Sequence, residues 1–89
     1  MEDEVKKQPE QLLATIEQAK QDLKNDGLFT AVIFEALSLG AVTSREFARK
    51  WGMSQSSVER WRTGLSVPHT ALRPRVYRWL KEKFEAKSE

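Results

Sequence analysis

The chain has no cysteine and a single histidine. That rules out a disulfide framework, a thiolate metal site and a thiol nucleophile, and leaves no second imidazole for a metal set or a triad. Only four glycines and three prolines are present, and none forms a glycine-rich loop of the kind that cradles phosphates. No apolar run approaches the roughly 20 residues that span a membrane. The acidic start, Glu2-Asp3-Glu4, has no apolar signal core behind it, so no secretory leader is expected. These absences point away from catalysis, a cofactor or a bound metal, and to a cytoplasmic location by default.

What is present is a chain of 89 residues, 39% apolar and 31% charged, enough for one domain with a modest core. The net charge of +2 hides an asymmetry: residues 1–40 carry a net −4 and residues 41–89 a net +6. A basic half and an acidic half suggest one face that meets a polyanion. A solvated mixture of surface charges would give the same count.

Hydrophobic spacing predicts helices throughout. Residues 1–8 are polar and expected to be a flexible N-terminus. Pro9 suits the first position of a helix running to about Lys24, with Leu12, Leu13, Ile16, Ala19 and Leu23 on or beside one stripe. Asn25-Asp26-Gly27 reads as its stop signal. Leu28 to Leu39 is densely apolar. Val32-Ile33-Phe34 suits a strand by propensity, but the segment is too long for one, and a helix enclosed by others is expected. Thr43-Ser44-Arg45-Glu46 is a capping box, opening a helix that Gly52 ends near Trp51. Ser54 caps the next, from about Gln55 to Thr63, which Gly64 closes. Leu65 to Arg73 is a loop holding Pro68 and His69. Pro74 fits the first turn of a last helix, with Val76, Tyr77, Trp79, Leu80 and Phe84 inward. The resulting expectation is an all-α bundle of about five helices: one domain over 9–86, an extra N-terminal helix over 9–26, and a tail at 87–89.

Within it, residues 44–63 form two short helices joined by a tight turn at Gly52-Met53-Ser54. Ala48 is small enough for close helix approach, Gly52 tolerates positive φ, and Val58 is a branched wedge between the helices. Phe47, Trp51, Met53 and Trp61 close a small core beneath; the tryptophans are read as core, not as stacking platforms. This is the pattern of a helix-turn-helix.

From Val42 to Pro68 the chain resembles the helix-turn-helix of the phage-repressor and Cro-like (XRE) family, through Ala48, Gly52-Met53-Ser54-Gln55-Ser56, Val58, Trp61, Gly64 and Pro68. Ser44 stands where that family usually has Gln, and the helix from Pro9 has no counterpart in its minimal domain. The resemblance implies a lambda-repressor-like fold that inserts helix 55–63 into the DNA major groove. Gln55, Ser56 and Arg60 then occupy base-reading places, with Ser57 and Glu59 as further candidates. A Gln amide pairs with adenine, Arg with guanine, and a carboxylate accepts from cytosine. Thr43, Ser44, Arg45, Arg49, Arg62 and Thr63 would lie near phosphates, as would Arg73 and Arg75 beyond the motif.

The expected function is therefore sequence-specific regulation of transcription on double-stranded DNA, in a prokaryotic or phage nucleoid. An adaptor or antitoxin-like protein-interaction module on the same fold is the alternative. A homodimer would form through Leu12, Leu13, Ile16 and Leu23, unless that helix covers the domain's own core.

Overall fold

Side-chain caps cut this chain into short helices, and the caps explain most of the boundaries. A computed structural model describes the backbone of residues 2–88 and the side chains of residues 10–85. It contains α1 (Glu2–Gln21), α2 (Asp26–Ser38), α3 (Ser44–Trp51), α4 (Gln55–Thr63) and α5 (Arg73–Ser88), with a 3₁₀ turn at Thr70–Leu72 before α5. The described residues include no strand. The all-α bundle expected from the sequence is the fold observed.

The α3–α4 unit follows its local signals closely. Thr43 Oγ1 accepts from the Glu46 N–H at 3.0 Å, and Glu46 Oε1 accepts from the Thr43 N–H at 3.1 Å, so two otherwise orphaned donors are satisfied together. Gly52 ends α3 with φ of 63°, a conformation in which a Cβ would be strained. The chain then reverses, and Ser54 Oγ accepts from the Ser57 N–H at 3.1 Å to start α4.

The first two helices differ from expectation at their ends. α1 begins at Glu2, so Pro9 lies inside it and not at its start, and residues 2–8 are part of the helix. Glu2, Glu4, Lys6, Lys7 and Gln8 are good helix formers, and the helix runs on through Pro9 although its ring removes a backbone donor and crowds the carbonyl four residues earlier. The Asn25-Asp26-Gly27 stop signal is in fact a start. Asn25 Oδ1 accepts from the Leu28 N–H at 3.0 Å and caps α2, while Gly27 sits in the first turn without positive φ. At the other end α5 runs through residues 87 and 88; Glu89 and the side chains of 86–89 lie outside the described residues.

α1 packs on α2 and α5, and α4 packs on α2 and α3. Leu12, Ile16 and Ala19 are fully buried beside Phe29, Ile33, Tyr77 and Leu80. Each of the leucines and isoleucines among them gains about 1.5–3 kcal/mol by burial. The alternative left open by the sequence is thereby decided: α1 covers the domain's own core. Leu12 and Ile16 have no exposed surface with which to build a homodimer, and Leu13 and Leu23 are half-buried.

A chain of edge-to-face rings ties the motif to its neighbours. Phe29 meets Trp61 at 5.4 Å, Trp61 meets Phe47 at 5.7 Å, Phe47 meets Trp79 at 5.7 Å, and Trp79 meets Trp51 at 6.0 Å. Each pair is worth about 0.5–1.5 kcal/mol beyond its buried area. The tryptophans are half-buried and pack against the core through these rings.

Candidate nucleic-acid interface

Val58, wholly buried, fixes the rotation of α4. With Trp61 one turn further on the same side, the opposite stripe must face outward. That stripe is Gln55, Ser56, Glu59, Arg60 and Thr63, all exposed. The side chains of Gln55, Ser56 and Arg60 make no hydrogen bond or ion pair among the described residues. They can meet a partner without first breaking an internal contact.

The remaining base-reading candidates are engaged within α4. Ser57 is half-buried, and its hydroxyl lies 3.0 Å from Ser54 Oγ. It is part of the α4 cap. Glu59 accepts from Arg62 Nη2 at 2.8 Å and from Arg62 Nε at 3.1 Å. These hydrogen bonds, and behind them the guanidinium charge, hold the Glu59 carboxyl below its ordinary range and raise Arg62 above its own. Arg62 also lies over the Phe34 ring, 5.9 Å from its centroid. Its expected role as a simple phosphate clamp is thus qualified by two partners. Thr63 Oγ1 donates back to the Glu59 carbonyl at 3.1 Å.

Of the other phosphate candidates, Arg45, Arg49 and Arg75 are exposed and have no acidic partner among the described residues. Thr43 is exposed and Ser44 half-buried at the start of α3. Arg73 is the clear correction. It is 3% exposed, and its guanidinium donates to the Leu23 carbonyl at 2.9 Å, the Pro68 carbonyl at 3.0 Å and Asp26 Oδ1 at 2.7 Å. It ties the α1–α2 turn to the α4–α5 loop and is not placed to touch phosphate. Its distance along the chain from Leu23 and Asp26 hid this role.

Sequence reasoning also missed Phe34. The segment Leu28–Leu39 reads as enclosed, yet Phe34 is 49% exposed and supports Arg62 from below. The helical spacing of Thr30, Phe34 and Ser38 was the available signal, because two of the three are polar. Lys50 was missed as well. It is exposed at the end of α3, 5.6 Å from the Trp51 ring centroid.

Nothing among the described residues resembles a metal centre: no group of three or more His, Asp or Glu side chains is placed to hold an ion. No described helix is long and apolar enough to cross a membrane. Compared with known proteins, the chain matches no family model, no curated protein and no solved structure.

Proposed function

We propose that this protein is a sequence-specific DNA-binding regulator that reads the major groove with α4. The observation that carries the reading is the set of unengaged ends of Gln55, Ser56 and Arg60 on the outer stripe of a short helix locked at both ends. Beside them, Arg45 and Arg49 stand unpaired on α3, the helix that crosses the DNA backbone in such motifs. The phage-repressor-like sequence pattern supports the same assignment.

In this mechanism Arg45 and Arg49 fix the height and register of α4 against phosphates, and the base edges decide among sequences. Arg60 offers a fork of donors that fits guanine O6 and N7, and the Gln55 amide offers a donor and an acceptor that fit adenine. Each bidentate pair discriminates by about 1–3 kcal/mol. Glu59, held by Arg62, presents a fixed carboxylate that accepts from a cytosine amino group and repels a misplaced phosphate.

One observation favours a protein partner instead. Phe34 and Leu65 are large apolar residues that stand 49% and 81% exposed, apolar area that contact with a protein partner would bury. Titration with random-sequence duplex DNA at several salt concentrations separates the two. A DNA-binding protein gives a log–log slope of roughly −0.9 per phosphate neutralised. A protein-interaction module gives negligible binding and no slope.

A further inference from the structure

Five cations without a carboxylate partner line one flank of the molecule, and two of them, Lys50 and Arg78, lie outside the phosphate set already described. Two grooves run between α3 and α5. One, of about 360 Å³, is lined by Arg45, Arg49, Lys50 and Lys83 with Glu46 and Trp79. The other, of about 310 Å³, is lined by Lys50, Arg75 and Arg78 with Trp51, Trp79 and Glu82. Lys50 and Trp79 are common to both, so the grooves form one continuous band.

Charge in that band is unbalanced. Lys83 is paired with Glu46 at 3.1 Å, which removes one cation and one anion together. Glu82 is then the one remaining carboxylate of the lining, against Arg45, Arg49, Lys50, Arg75 and Arg78. None of those five has an ion pair among the described residues. All five are exposed. Holding five like charges along one flank is unfavourable in the free protein, and a polyanion relieves it by releasing its own counterions. The floor is rigid, because Trp51 and Trp79 pack edge-to-face at 6.0 Å. The Trp51 indole N–H is also buried without an acceptor, in a side chain that lines the second groove.

We infer that the α3–α5 flank is a second phosphate-binding surface, which holds the DNA backbone beyond the base pairs read by α4. This rests on the DNA-binding reading and extends it. Arg45 and Arg49 begin the band next to the recognition helix, and Lys50, Arg75 and Arg78 carry it onto α5. The footprint on DNA is therefore longer than a single short helix needs, and the added length contributes affinity without sequence information.

The test compares the unaltered chain with Lys50→Gln/Arg78→Gln on two duplexes that share a preferred site, one of about one helical turn and one of about three turns. A charge-matched control, Lys20→Gln/Lys24→Gln, alters the acidic half. On the long duplex the flank variant is expected to lower the magnitude of the salt slope by about 1–2, with the control unchanged. On the short duplex all three should agree, and the preferred sequence should be the same throughout. An unchanged slope on the long duplex, with sequence-selective binding intact, overturns the flank and leaves the α4 reading standing. A slope that drops equally in the control overturns it too, since net charge alone would then suffice. If the unaltered chain binds neither duplex, both the flank and the α4 reading fail.

Discussion

Arg62 holds Glu59 by a forked contact along one side of α4, with Nη2 2.8 Å and Nε 3.1 Å from the same carboxylate oxygen. The two residues are three apart on the helix, the spacing at which side chains meet. The pair places a negative charge on the reading face and restrains the cation that would offset it. The Phe34 ring adds a second contact for the guanidinium, 5.9 Å from its centroid.

The pair should be visible in titration. Glu59 ordinarily ionises near 4.5, and the contact with Arg62 depresses that value in the folded chain. A depressed carboxylate contributes stability above the unfolded value, and the contribution is lost as pH falls through the folded one. Carboxyl resonances followed by NMR should show Glu59 titrating below the other glutamates. Arg62→Ala should return it to the ordinary range. An unmoved Glu59 in that variant would mean the contact does not persist in solution.

Removing the carboxylate should strengthen binding to DNA of any sequence. Glu59→Gln deletes a charge that repels phosphate and releases Arg62 to neutralise one. Affinity for random duplex should rise, and the salt slope should steepen by about 1. Discrimination at one base pair should weaken at the same time. Unchanged random-duplex affinity and salt slope in this variant would place the pair away from the DNA.

Arg73 should matter for stability and not for DNA. Arg73→Met strands the Leu23 and Pro68 carbonyls in a part-buried site, at a cost of about 2–3 kcal/mol in urea unfolding. Asp26→Asn removes only an exposed partner and should cost about 1 kcal/mol or less. The folded fraction of Arg73→Met should keep the original salt slope. A loss of one unit of slope would restore Arg73 to the phosphate set.

Tyr77 is the only tyrosine, so its ionisation can be read by absorbance alone. Burial pushes its phenol up to about 12, against a smaller opposing effect of the Arg73 charge. A raised value means that the unfolded chain ionises first. Stability is then intact below about 10 and falls as pH rises toward 12. The hydroxyl is buried without a hydrogen-bond partner among the described residues. Tyr77→Phe should therefore gain about 1 kcal/mol and lose the alkaline decline. A destabilised Tyr77→Phe would reveal a partner for the hydroxyl.

The parts of the fold legible in the sequence are those set by contacts within a few residues. Thr43 with Glu46, Ser54, and the glycines at 52 and 64 bound α3 and α4, and each of these signals lies next to the helix end it sets. The N-terminal region was misread because Asn25-Asp26-Gly27 carries two local meanings. Asn25 is both a turn former and an N-cap, and only the packing of α2 against α1 selects the second. Arg73 and Phe34 were misplaced for the opposite reason. One is drawn inward by carbonyls far along the chain, and the other is left outside by the way α1 and α4 lie across α2. In the candidate site, Gln55, Ser56 and Arg60 were legible because Val58 fixes their direction. Ser57 and Glu59 stand at a spacing that permits contact with Ser54 and Arg62, but the contacts themselves depend on rotamers, which spacing does not set.

The most direct measurement is selection of bound fragments from random duplex DNA, run in parallel on the unaltered chain and on Gln55→Ala/Arg60→Ala. The unaltered chain should recover a defined sequence, and the variant, folded to the same extent by circular dichroism, should lose preference at the positions those two side chains read. Recovery of the same sequence by both chains, or of no sequence by the unaltered one, would contradict the assignment of α4 as the reading helix.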